Sequence, residues 1–177
     1  MTLKTVLTKV LLCGLASTAA FAAEPNAEDK LADAGFELMK TDHVGGLRIG
    51  LAGTEVLKLL SCPVKKGKDR VWGADGGRHQ AWSFPGCGVE LDMVSDTKSA
   101  PKTVGMITVE APFAGATRRG IQIGSTAQAV EKAYKTVWNK PESEANATFV
   151  AGSVYGGMIF HLNQGRVEKI FIGAAAE

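Results

Sequence analysis

Two cysteines, three histidines and one short aromatic cluster carry most of the chemistry available to this chain. Cys62 and Cys87 stand 25 residues apart, with no C-x-x-C spacing and no second pair nearby. In an oxidising compartment such a pair is expected to bridge, ahead of a metal or redox-active role. A bridge of that span closes a loop worth about 3 kcal/mol in the chain-entropy model. His43, His79 and His161 lack H-x-x-x-H spacing and clustered carboxylates. A metal needs three or four converging ligands, so no metal site is expected. His161 alternates with Phe160 and reads as a sheet-surface residue, not a base or ligand. His79 follows Arg78 in a glycine-rich loop beside Asp75, and Asp75-Gly76-Gly77 lacks the repeated acidic positions of a calcium loop.

Nucleophilic catalysis finds no support either. Ser83 and Ser95 have no G-x-S-x-G context, and the glycines form neither G-x-G-x-x-G nor a P-loop. The expectation is a non-enzyme with no catalytic residues and no cofactor. Binding potential concentrates instead in Val71–Cys87, which holds Trp72, Arg78, His79, Trp82 and Phe84. Trp, Tyr and Arg dominate interface energetics because they bury large areas and still hydrogen-bond at the edge. Trp82 and Phe84 are expected in the core. Trp72, between a charged loop and a glycine turn, is the expected exposed aromatic. Trp72 and Arg78 are therefore candidate anchors for a protein partner, with His79 beside them. Lys65, Lys66, Lys68 and Arg70 form a charged rim, a solvated loop whose sharper reading is contact with an acidic partner.

The elements that position these residues are legible in a self-match. Gly46–Leu60 (GLRIGLAGTEVLKLL) aligns without gaps with Gly120–Tyr134 (GIQIGSTAQAVEKAY), 74 residues later. A fixed offset implies a duplicated unit. Gly50/Gly124 and Val56/Val130 are its structural positions. The pattern predicts a short strand (Leu47–Ile49, Ile121–Ile123), a glycine turn and a helix in each copy. The second helix has capping-box form at Ser125-Thr126-Ala127-Gln128, and Val130, Ala133, Tyr134 and Val137 make one apolar face. The first has Leu51 where the second has Ser125, plus Gly53 in its first turn, and should be shorter.

Antiparallel strands follow each helix. Ala81–Phe84, Val89–Val94 and Met106–Val109 belong to the first half, and Thr148–Val150, Met158–Leu162 and Val167–Ile172 to the second. Asn163-Gln164-Gly165 supplies a hairpin turn. Val104-x-x-Ile107-x-Val109 matches Val167-x-x-Ile170-x-Ile172 at an offset of 63, so the first copy is eleven residues longer between its helix and last strand. The excess falls in the region of the basic run and both cysteines. Gly35–Met39 reads as an opening strand.

A helix followed by an antiparallel meander, twice, is an α+β fold whose sheets form one continuous or adjoining surface. The openings Ile49-Gly50-x-x-x-x-x-Val56 and Ile123-Gly124-x-x-x-x-x-Val130 resemble those of the beta-lactamase inhibitory proteins and of small outer-membrane assembly lipoproteins. The resemblance spans Gly46–Ile172 and implies a sheet presented to a partner with helices behind it. Those families favour Met-Thr after the glycine, where this chain has Leu51-Ala52 and Ser125-Thr126.

Lys4 and Lys9, the apolar stretch Val10–Phe21 and the small-x-small Ala20-Phe21-Ala22 read as a cleaved signal peptide over residues 1–22. Leu12 before Cys13 does not suit lipidation. Residues 23–45 are then a tail and opening strand, with polar, Ala-rich Glu24–Asp33 a tail or a short helix; 46–110 are the first repeat, 111–119 a linker and 120–177 the second repeat. Removing Lys4 and Lys9 from 20 basic residues leaves 18, against 18 acidic. That neutrality argues against nucleic acid and anionic lipid. The expectation is a periplasmic, or alternatively secreted, protein-binding module of inhibitor, immunity or envelope-assembly type. Its alternative is a binder of a small molecule or peptidoglycan fragment in a groove between the repeats.

Overall fold

The computed structural model describes residues 26–175. The proposed signal peptide and Cys13 lie outside them. Among the described residues three α-helices, α1 (Ala27–Thr41), α2 (Gly53–Leu59) and α3 (Ala127–Tyr134), accompany eight strands. These are β1 (Lys65–Lys66), β2 (Arg70–Val71), β3 (Arg78–Phe84), β4 (Val89–Ser95), β5 (Thr103–Glu110), β6 (Thr148–Ser153), β7 (Gly156–Asn163) and β8 (Arg166–Gly173). One antiparallel sheet runs β1-β3-β4-β5-β8-β7-β6, with β2 beside β1 on the same edge of β3. The architecture is α+β. The two meanders join through β5 and β8, where Ile107 pairs with Ile172 and Val109 with Ile170.

Alternation sorts the side chains onto two faces. Trp82, Phe84, Val89, Leu91, Met93, Ile107, Phe160, Ile170 and Ile172 are buried on the inner face, in one core with Val56 of α2 and Val130 and Tyr134 of α3. Val56 and Val130 are both fully buried. Each turns inward because it lies on the helix face one turn after the cap. The Tyr134 ring sits 4.9 Å from that of Phe160. Its hydroxyl donates to buried Asp42, a contact that ties the end of α1 to α3.

Three local expectations are corrected. Gly35–Met39 is not an opening strand but part of α1. Asn26 and Asp29 form a reciprocal capping box there, and Gly35 and Leu38 fall on one buried face. Leu47–Ile49 and Ile121–Ile123 form no strands; Leu47 makes only an isolated bridge with Val44, and both segments lead into glycine turns at positive φ. The cap of α3 is Thr126, whose hydroxyl accepts from Ala129 N–H; Ser125 instead accepts from Gln122 N–H. α2 is, as its sequence implies, short, and Ala52 gives it no side-chain cap.

The staple is present. Cys62 and Cys87 are bonded with Cα atoms 5.9 Å apart, joining the segment after α2 to the turn between β3 and β4.

Candidate functional site

On the outer face the first half of the sheet is open. Ala81 and Glu90 are exposed, and Ser83, Asp92, Val94, Met106, Thr108 and Phe171 are half-buried. Cross-strand pairing puts them together: Ala81 faces Asp92, Glu90 faces Thr108 and Thr108 faces Phe171.

Over one end of this face folds a hairpin. β2 pairs with β3, Arg70 opposite His79, and the intervening turn closes through Trp72 N–H to Gly77 O (2.9 Å) and Gly76 N–H to Trp72 O (3.0 Å). Gly76 takes a φ of +71°, which a side chain would resist. The turn thereby lays the Trp72 ring flat on His79, with centroids 4.0 Å apart and planes 6° from parallel.

His79 is the pivot of the arrangement and is only 8 % exposed. Its Nδ1 lies 2.6 Å from Asp92 Oδ2, diagonal to it on β4, and its Nε2 lies 2.9 Å from Asp75 Oδ2 on the turn. Asp75 also accepts from Gly77 N–H at 2.8 Å. Burial disfavours charge on the ring, but hydrogen bonds to Asp75 and Asp92 and their negative charge outweigh it, so the His79 pKa is raised above 6.5. The same bonds from His79 and Gly77 hold the Asp75 carboxyl below 3.8. While both ring nitrogens donate to these carboxylates, neither offers a lone pair to a substrate or a metal.

Two cavities adjoin the Trp72–His79 stack. One, of about 490 Å³, is lined by Met39, Trp72, Asp75, His79, Val94 and Met106. The other, of about 440 Å³, is lined by Lys68, Arg70, Trp72, His79, Ala81 and Asp92. A third hollow, of about 260 Å³, continues along the open face past Ser83, Glu90, Met106, Thr108 and Phe171.

The candidates divide accordingly. Lys68, Arg70, Trp72 and His79 meet around one depression, with Trp72 at 36 % exposure. Arg78 does not join them. Its guanidinium pairs with Asp69 at 3.3 Å, and Lys102 pairs with the same carboxylate at 3.3 Å. Burial opposes charge on Asp69, but Lys102 and Arg78 prevail and lower its pKa. Lys66 lies over the Trp82 ring, 3.8 Å from its centroid, and belongs to the inner-face edge. Lys65 is exposed opposite Ser83. His161 is half-buried opposite Lys169, and burial lowers its pKa.

Sequence reasoning missed Asp92 as the partner of His79, and Met39 and Met106 as cavity walls. Asp75, four residues before His79 across a glycine turn, was within reach. Asp92 was not, because its role depends on the register of β3 against β4. Among the described residues no group of three His, Cys, Asp or Glu is arranged to hold a metal, and no helix is long and apolar enough to cross a membrane. No family model, curated protein or solved structure matches the chain.

Proposed function

We propose that this chain is an exported, non-enzymatic module that binds a protein partner. The partner docks acidic side chains on Lys68 and Arg70, and an apolar group beside Trp72 and the hollow of Ala81, Met106 and Phe171. The observation that carries this reading is the open outer face of β3–β4–β5 next to an exposed tryptophan on a basic hairpin. Strands buried on both faces need no partner; a half-apolar open face beside an aromatic anchor has the composition of an interface core with a charged rim. Charges on the rim would speed association more than they deepen affinity. Export, with residues 1–22 as a signal peptide, rests on the leader-like sequence and gains support from the disulfide.

The same reading takes the fold as a duplication. Gly50 N–H donates to Val104 O and Gly124 N–H to Val167 O, at 2.8 and 2.7 Å. Gly53 N–H donates to Lys102 O and Ala127 N–H to Gly165 O, both at 2.9 Å. These pairs obey the offsets of 74 and 63, and Thr108 lies opposite Phe171, its own counterpart at 63. The Trp72 hairpin belongs to the longer copy, and unequal loops on repeated scaffolds are where function is acquired. β5 and β8 are hydrogen-bonded directly, which leaves the alternative groove between copies little room.

The test is a cross-linking pull-down from envelope extract with wild-type protein, Trp72→Ala and Arg70→Glu. A partner recovered by the wild type should be lost from both variants at unchanged thermal midpoint, with Trp72→Ala weakening binding by at least about 1–2 kcal/mol. Undiminished recovery by both variants would remove the hairpin from the interface.

A further inference from the structure

The hairpin is fastened at its tip by one side chain of β3, His79. Its backbone pairing with β3 covers only Arg70–His79 and Val71–Arg78, and every residue from Val71 to Gly76 is exposed. At the base of the hairpin, Asp69 is held by Arg78 and Lys102; the tip is fastened to the sheet by His79, with Asp92 on the sheet side, Asp75 on the turn side and Trp72 stacked above. We propose that His79 is a latch, whose imidazolium bridging Asp92 and Asp75 keeps the Trp72 hairpin docked, and whose loss of the Nε2 proton releases the Asp75 turn.

The direction of release follows from the two bonds. The contact with Asp92 is the shorter, at 2.6 Å against 2.9 Å. Asp92 is also the better sheltered, its side chain 15 % exposed against 55 % for Asp75. A neutral ring keeps one proton, and the buried, shorter bond retains it on Nδ1. The bare Nε2 lone pair then faces the Asp75 carboxylate, and attraction becomes repulsion. The cations on this depression are Arg70, paired with His79 across β2–β3, and Lys68. Arg78 is occupied by Asp69, and the neighbours Met39, Val94 and Met106 carry no charge.

The sign is fixed by linkage. A group whose pKa is raised in the docked state lends docking strength that is complete below 6.5 and lost as pH rises through the raised value. Asp75, lowered from 3.8, lends strength present above 3.8 and lost as pH falls through its lower value. The latch therefore holds between these limits and opens on the alkaline side. Because Trp72, His79 and Asp92 line both the 490 Å³ and the 440 Å³ cavities, release would merge them into one groove on the open face. Any effect on partner binding rests on the reading above; the latch itself does not.

The experiment is an NMR titration of the isotope-labelled full chain from acid to alkaline pH, following the His79 ring nitrogens and amide exchange corrected for its intrinsic pH dependence. His79 should titrate above 6.5, with Nε2 losing its proton first. Protection of the Trp72, Gly76 and Gly77 amides should fall through that same titration, by up to about tenfold for each unit its pKa is raised. The Leu91 and Ile107 amides should not respond. Asp75→Asn should leave the hairpin loosened and insensitive across the His79 range. Deprotonation at Nδ1 first, hairpin protection flat through the titration, or an unchanged pH response in Asp75→Asn would each overturn the latch. No partner enters the measurement, so that result would leave the partner surface standing.

Discussion

The two halves of the sheet use strands of similar length and pairing, yet they meet solvent differently. In β4 every second residue is buried: Val89, Leu91 and Met93 are, while Glu90 is exposed and Asp92 half-buried. In β6 every residue from Phe149 to Ser153 is buried, and in β7 every residue from Gly156 to Phe160. α1 packs against β6 and β7. The close approach needs glycines on both sides, Gly35 on the helix and Gly152 and Gly156 on the strands. β4 keeps its polar alternation, whereas β6 and β7, the strands α1 packs against, are buried residue after residue. The half that kept it also carries the staple, the β2–β3 hairpin and the hollows beside Trp72 and along the open face.

With less packed over it, the open half leans on its disulfide, Cys62–Cys87. Cys62→Ser should lower stability by about 2–4 kcal/mol in urea unfolding, the range for small stapled domains. Reduction of the wild type should reproduce the loss. Equal stability with and without the bond would mean that the inner-face core holds β3–β5 unaided, and the contrast would lose its energetic content.

The covered half should be sensitive to a single methyl group. A Cβ on Gly35 would overlap the Gly156 carbonyl oxygen and stand 3.1 Å from Gly152 Cα, both backbone atoms that cannot swing aside. Gly35→Ala should therefore cost about 1–3 kcal/mol through overpacking, despite the roughly 1 kcal/mol by which a helix interior prefers alanine. Gly73→Ala, on the open hairpin, meets nothing within 4 Å and should stay within about 0.5 kcal/mol of wild type. Comparable losses at both positions would erase the distinction between packed and open halves.

How far these regions could be read in advance follows from where each signal lies. β4, β7, β8 and the turn at Gln164-Gly165 were legible because alternation and turn chemistry are local, and Gln164 and Gly165 do take positive φ. The staple was legible from two cysteines and a presumed compartment. The second part of α1 was missed because Gly35-Phe36-Glu37-Leu38-Met39 mimics a strand over five residues. The deciding signals were farther off, in the Asn26–Asp29 capping box and the spacing of Leu31, Gly35 and Leu38. Of the site, Trp72 and the basic run were legible as types. The His79–Asp92 pair was not, because tertiary register, not spacing, brings residues 13 apart to 2.6 Å. Arg78 reads as an anchor until Asp69 is found against it.

The smallest expected effect compares the two helices at one matched position. Thr126 caps α3 by accepting from Ala129 N–H at 3.2 Å, while Ala52, its counterpart 74 residues earlier, leaves the same group of α2 without a side-chain acceptor. Both caps have extended backbone, with φ, ψ of −74°, 154° and −64°, 140°. A threonine at either position can thus aim its hydroxyl at the third helical N–H without backbone change. Thr126→Ala should cost about 1 kcal/mol. Ala52→Thr should gain somewhat less, about 0.5 kcal/mol, because it adds a bond to a helix of only seven residues. Chemical denaturation of the two variants and of the double exchange is the measurement. Opposite signs that nearly cancel in the double variant would show the two turns to be interchangeable pieces of backbone. A silent Ala52→Thr beside a costly Thr126→Ala would show instead that α2, a helix of seven residues without a side-chain cap, gains nothing from one.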